Sequence, residues 1–179
     1  MITLILGSMF SSKSSYLLQK IDRGLIAHKK ACFCKNPVDT RTFLSRNTYK
    51  INEELIFTIK SEEDLEKVFR DFDIICIDEF QFFQYTDKLI ELSLEYSDKQ
   101  IYLAGLNASA DQKMFDSIIK IIPYCVDIIF PKAVCTKCGS DNATFTICKQ
   151  EKDFNKPQIG NEEYEVVCDK CFSILKRIH

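Results

Sequence analysis

Three groups of residues in this chain have the types and spacing that chemistry needs. The first is Gly7-Ser8-Met9-Phe10-Ser11-Ser12-Lys13-Ser14, set between an apolar run at 2–6 and an amphipathic stretch. A loop joining strand to helix aims backbone N–H groups and a helix N-terminus at an anion, and the helix dipole favours negative charge there. In that setting Lys13 would neutralise β- and γ-phosphates and Ser14 would offer its hydroxyl to Mg²⁺. Position 12 is serine where such loops usually carry glycine, because the backbone curls tightly there and often takes positive φ. The bland alternative, a serine-rich cap with an incidental lysine, is weakened by the strand before it and the helix after it.

The second group is Asp78-Glu79, at the end of the apolar run 74–77. A phosphate loop needs an acid at the end of a neighbouring strand to hold Mg²⁺. Asp78 stands where that acid belongs. Strand alternation sends Glu79 to the opposite side, free to take a proton from an attacking hydroxyl. A solvated acid pair at a strand end is the competing reading. Phe80-Gln81-Phe82-Phe83 follows, offering flat rings on which a base can stack and an amide that can pair with a base edge.

Cys135-x-x-Cys138 and Cys168-x-x-Cys171 form the third group, four thiolates of the kind that tetrahedral structural Zn²⁺ prefers. Twenty-nine residues separate the pairs, more than a minimal metal-bound hairpin needs. A long loop tied at its base is usually functional, so a cover over a substrate is expected. A nucleic-acid-binding ribbon is the rival, weakened by Glu162-Glu163 and the near-neutral charge.

The elements that must position these groups alternate. Strands are expected at 2–6, 31–34, 73–79, 100–104 and 126–130. Helices are expected after residue 13, with Leu17, Leu18, Ile21 and Leu25 on one stripe, from Ser61 through Leu65, Val68 and Phe69, and at 86–97 and 115–122. Residues 35–60 read as polar and irregular. Continuous apolar strands alternating with helices indicate an α/β fold, a parallel sheet covered on both faces. Past Pro131 the chain turns to paired cysteines and polar hairpin-like segments, so the boundary falls between a P-loop α/β unit 1–131 and a zinc ribbon 132–179.

Composition bounds the rest. The 179 residues suit one α/β domain with a small appendage. A net charge of −2 gives no electrostatic argument for a nucleic-acid or membrane partner. No apolar run is long enough to span a bilayer, and the start of the chain lacks the basic flank of a signal peptide. Nine cysteines, an odd number, argue for reduced thiols in a cytoplasmic setting rather than a disulfide framework. Cys32, Cys34, Cys76, Cys125 and Cys148 are expected to pack as small hydrophobes.

Taken together, these motifs resemble those of the type II, zinc-containing thymidine kinases, over nearly the whole chain. Gly7 to Ser14 is similar to that family's G-P-M-F-S-G-K-[ST] loop, and Asp39-Thr40-Arg41 to its D-x-R element, which implies ATP contacts from Asp39 and a phosphate role for Arg41. Asp78-Glu79-Phe80-Gln81-Phe82-Phe83 resembles D-E-x-Q-F-F. The resemblance implies that Glu79 is the general base, that Asp78 and Gln81 serve the nucleotide and that Phe82 packs on thymine. Ala104-Gly105-Leu106-Asn107 through Met114-Phe115 resembles A-[AG]-L-D…P-F and implies nucleoside contacts from Leu106 and Phe115, with Met9. Ala143-Thr144-Phe145-Thr146, Ile159-Gly160 and Tyr164 match the lasso that closes over the nucleoside. The chain departs from the family at Ser12, Asn107 (for Asp), Ala110, Met114 and Cys148, and lacks a His-Asp pair around Ser45 to Asn52.

The resemblance implies ATP, Mg²⁺ and Zn²⁺ as cofactors and phosphorylation of the 5′-hydroxyl of thymidine, with deoxyuridine a second candidate, in salvage for DNA synthesis. It also implies a homotetramer and feedback inhibition by thymidine triphosphate, with no membrane or nucleic-acid partner. The alternatives are a nucleotide-binding subunit that has lost catalysis, motivated by Ser12 and Asn107, and a zinc-ribbon nucleic-acid-binding ATPase.

Overall fold

The computed structural model describes residues 1–39, 51–149 and 164–178. Six parallel strands, β1 (Ile2–Gly7), β2 (Ala31–Lys35), β3 (Ile56–Thr58), β4 (Ile74–Ile77), β5 (Gln100–Leu106) and β6 (Cys125–Ile129), make one sheet in the order β3-β2-β4-β5-β1-β6. Four helices connect them: α1 (Lys13–Ile26), α2 (Glu62–Asp71), α3 (Thr86–Glu95) and α4 (Asp116–Ile121). The runs of the interior strands β1, β2, β4 and β5 are mostly apolar because both faces are covered. Ile5, Phe33, Ile74, Cys76 and Ala104 pack under Leu17, Leu18 and Ile21 of α1. Their neighbours in sequence, Leu4, Leu6, Cys32, Cys34, Ile75, Ile77 and Leu103, pack under Leu65, Val68 and Phe69 of α2, Leu89 and Leu92 of α3, and Ile118 and Ile121 of α4. The period of two along each strand divides the core into these two layers.

Several boundaries differ from the expectation. The buried stripe of α1 is Leu17, Leu18, Ile21 and Gly24, while Leu25 is 41% exposed. Gly24 closes directly onto Ile74, which turns the next residue off the sheet. α3 ends at Glu95, and α4 gives way at residue 122 to a 3₁₀ turn containing Pro123, which has no N–H to continue the ladder. β5 runs two residues beyond 104. The stretch read as irregular contributes β3, which pairs with β2 at Phe33↔Ile56 and Cys34↔Phe57. α2 begins as expected at Ser61, in a capping box with Asp64.

After residue 131 an antiparallel pair forms, β7 (Phe145–Cys148) with β8 (Tyr164–Val167), beside a bridge between Ala133 and Ala143. A helix not anticipated from sequence, α5 (Asp169–Ile178), follows directly. Its Phe172 stacks on Phe145 with centroids 4.3 Å apart. Asp169 in its first turn and Lys176 and Arg177 in its last complement the helix dipole. Ala133, Cys135, Ala143, Val166, Val167 and Cys168 form the small core of this lobe, joined by Met9 and Phe10 from the loop after β1. No helix of the described residues is long and apolar enough to cross a membrane.

Candidate active site

The loop from Gly7 to Ser14 leaves the C-terminal end of β1 and runs into α1. Gly7 is required by close approach: a Cβ there would lie 2.8 Å from the Pro131 carbonyl and 2.4 Å from Ser11 Oγ. Ser11 Oγ donates to Ser8 O at 2.9 Å, and Lys13 Nζ donates to the same carbonyl at 2.7 Å. The loop is thus curled around its own Ser8 carbonyl. Ser12 holds φ 62° and ψ 24°, the left-handed conformation expected where glycine is usual, and Phe10 holds φ 64°. Ser12 is exposed and its side chain caps nothing.

Asp78 is buried at the end of β4, and Ser14 Oγ donates to its Oδ2 at 2.7 Å. The sheet order corrects the expectation that these groups sit on adjacent strands. β5 lies between β1 and β4, and the contact is made because the first turn of α1 reaches across it. A buried carboxylate beside a hydroxyl is a hard-oxygen donor pair that suits Mg²⁺.

Glu79 does not follow strand alternation. It sits at φ 50°, ψ 41°, where the chain leaves β4 for a 3₁₀ turn at Phe80–Phe82. Gln81 Nε2 donates to Glu79 Oε2 at 2.6 Å, and Gln81 Oε1 accepts from Leu106 N at 3.1 Å. Gly105 leaves room for this approach, since a Cβ there would stand 3.2 Å from Gln81 Oε1. The Gln81 amide, read as a partner for a base edge, is therefore buried and engaged at both ends. The structure also separates the phenylalanines. Phe80 and Phe83 stack in the core at 5.3 Å, whereas Phe82 is only half-buried and meets Phe115 edge-on at 5.9 Å.

The cysteine lobe touches this site directly. Ser8 Oγ donates to Ala143 O at 3.3 Å and Met9 N donates to Thr146 Oγ1 at 3.1 Å. Met9, Leu106, Phe115 and Tyr164 are partly exposed, and Thr146 is buried. Asp39 lies in the turn after β2, its N–H on Asn36 O. Arg41, Ile159 and Gly160 lie outside the described residues. Sequence reasoning missed two contacts, from Asn107 to Thr144 O and from Gln112 to Thr146 O, because a polar residue in a loop carries no signal of which strand it will face.

The four paired cysteines bring their sulfurs within 4.8 Å of one another, with Cys138 and Cys168 Sγ 3.7 Å apart. A tetrahedral ion with Zn–S of about 2.3 Å has edges of about 3.8 Å, so the set fits zinc. Burial pushes the Cys135 thiol up, but N–H groups of Cys168, Cys138 and Lys137 outweigh it and bring it down to about 6. Burial and the neighbouring thiols push Cys171 up to about 12. All nine cysteines are free, and Cys32, Cys34 and Cys76 are fully buried. Burial raises the Cys32 and Cys76 thiols far above the usual range, which suits packing rather than reactivity.

The loop between β1 and α1, the two acids at the C-terminal end of β4 and the four-cysteine lobe beside them fit a P-loop fold with a zinc-fitting appendage. The family model described as "Thymidine kinase" matches residues 1–172. The thymidine kinase of Amsacta moorei entomopoxvirus is 33% identical, over 96% of this chain and 97% of its own length. That of African swine fever virus (isolate Tick/South Africa/Pretoriuskop Pr4/1996) is 35% identical over 95% and 91%. That of Sheeppox virus (strain KS-1) is 34% identical over 96% of each. The chain belongs to the thymidine kinase family.

Proposed function

We propose that this chain transfers the γ-phosphate of ATP to the 5′-hydroxyl of thymidine. The observation that supports it most is the convergence, at the C-terminal end of the sheet, of the Ser14–Asp78 pair, Glu79 held by Gln81, and the half-buried Phe82. The triphosphate lies in the loop from Gly7 to Ser14, contacted by its backbone N–H groups and by Lys13. Asp39 and Arg41 complete the nucleotide side. Mg²⁺, when bound, supplies charge neutralisation at the phosphates, with Ser14 and Asp78 as its protein oxygens. Gln81 acts on the nucleotide side only indirectly, by orienting Glu79.

The nucleoside lies against Phe82, with Met9, Leu106 and Phe115 at its edges. Thr146, Ile159, Gly160 and Tyr164 of the cysteine lobe cover it. Glu79 accepts the 5′-hydroxyl proton as that oxygen forms its bond to the γ-phosphorus and the bond to the β-phosphate oxygen breaks, leaving ADP. Residues 1–131 carry the chemistry and residues 132–179 the zinc and the cover. Nine free thiols suit the cytoplasm.

Among the described residues β6 ends the sheet, and Val126 on it and Phe130 just after it are 66% and 60% exposed; an uncovered strand that ends a sheet supports assembly toward the homotetramer. Thymidine triphosphate, which carries both product base and donor-like phosphates, is the inhibitor this site would accept. A radiolabelled-phosphate transfer assay over a panel of deoxynucleosides tests the proposal. Label should pass to thymidine, and to deoxyuridine if the 5-methyl group is not required. ATP bound without transfer to any nucleoside would instead favour a binding subunit.

A further inference from the structure

We propose that Asn107 and Gln112 form a latch that seats β7 on the C-terminal end of β5, fixing the position of the cysteine lobe relative to Glu79. This rests on the reading that the lobe covers the nucleoside. Asn107 Nδ2 donates to Thr144 O at 3.2 Å, and Gln112 Nε2 donates to Thr146 O at 3.0 Å. Carbonyls two residues apart leave an extended chain by the same edge, so the two amides grip one edge of the 144–146 segment. Only the nitrogen of a side-chain amide can face a carbonyl oxygen. An aspartate at 107, which the resemblance expects, would have no N–H to give.

The loop that carries the latch is built to present it. Ser109 N donates to Lys113 O at 2.9 Å and Gln112 N to Ser109 O at 3.0 Å, and within that turn Gln112 holds φ 64°. A left-handed non-glycine residue persists where its surroundings over-determine it, and here it directs the glutamine toward β7. Asn107 follows directly on Leu106, whose N–H holds Gln81, which in turn holds Glu79. Glu79, Gln81, Leu106, Asn107 and Thr144 thus form one series from Glu79 to the lobe, made of three hydrogen bonds and the peptide link between Leu106 and Asn107. Thr146 is held from its other side by Met9 N. Neither Asn107 nor Gln112 touches the reacting atoms; both are positioning residues.

The test uses the full-length zinc-loaded enzyme and its Asn107→Ala and Gln112→Glu variants. Asn107→Ala removes the bond to Thr144 O and leaves the hydrogen bonds of the loop in place. Gln112→Glu removes the bond to Thr146 O together with those from the same nitrogen to Ser109 O and Ala110 O, and two variants keep the test open should one fail to fold. Loss of one partly buried hydrogen bond should raise the thymidine KM about five- to tenfold, with kcat and the ATP KM within about twofold. Amide exchange measured without nucleoside should quicken at residues 144–148 and stay unchanged in β1 and β4. Unchanged exchange in β7 in both variants overturns the latch. Faster exchange with an unmoved thymidine KM overturns the claim that the lobe sets nucleoside position. A parallel fall in every kinetic constant and in thermal stability overturns it too, reducing both residues to general structural ones. If the parent enzyme transfers no phosphate while β7 exchange still responds, the proposed function fails and not the latch.

Discussion

Ser12 sits at φ 62° on the surface of the phosphate loop, and left-handed backbone costs a non-glycine residue roughly 1–2 kcal/mol. At ~1.4 kcal/mol per factor of ten, that penalty is worth about five- to thirtyfold if it falls on nucleotide binding. Ser12→Gly should therefore lower the ATP KM by about that factor and leave the thymidine KM unmoved. Steady-state kinetics on both forms checks it, and indistinguishable ATP constants would mean the serine is accommodated without strain. Glu79 raises a separate question. Its carboxylate is held by the Gln81 amide, and Glu79→Gln keeps the shape but cannot accept a proton. We expect kcat to fall about a hundredfold or more, with thymidine binding measured by calorimetry nearly unchanged. A near-normal kcat would reassign the base.

At the scale of elements, the turn after β4 separates two kinds of phenylalanine. Phe80 and Phe83 are buried and stacked, whereas Phe82 is half-buried and meets Phe115. Phe83→Ala should lose about 3–5 kcal/mol of stability, the usual cost of emptying a buried aromatic site, read by chemical denaturation. Phe82→Ala should lose far less stability and raise the thymidine KM by at least about tenfold, because a stacking surface is removed from the substrate rather than from the core. Equal stability losses would mean that both rings are core residues. The motif makes the two rings look alike; the 3₁₀ turn and the left-handed Glu79 before it send them in different directions.

At the scale of the molecule, the cysteine lobe and the phosphate loop share a core. Met9 and Phe10 pack into the lobe's apolar cluster, while Ser8 and Met9 hydrogen-bond to Ala143 and Thr146. Purified protein should carry about one zinc per chain, as four converging thiolates imply. Removing it with a chelator, or substituting Cys138→Ser, should raise both the ATP and the thymidine KM, unlike the latch variants, which move only the second. Elemental analysis with parallel kinetics checks both points. Zinc-free protein with normal constants would break the link between metal and site.

How much of this was legible beforehand follows from what local pattern can and cannot encode. Residues 7–14, Asp78-Glu79 and the two C-x-x-C pairs stand out as candidates in the sequence because phosphate loops, strand-end acids and thiolate sets need particular residue types at short spacings. The alternation of apolar strands and amphipathic helices follows from burial on both faces of a sheet, and Ser61 with Asp64 marks a helix start by self-contained hydrogen bonding. Tertiary structure decided the rest, because those features depend on residues far apart in the chain. The order β3-β2-β4-β5-β1-β6 inserts a strand between the loop and its acid. Three residues of β3 are a strand only because β2 lies beside them. Gln81 is committed to Glu79 and Leu106 because Gly105 lets it approach. Asn107 and Gln112 acquire a role only when the fold brings β7, more than thirty residues away, within reach of their amides.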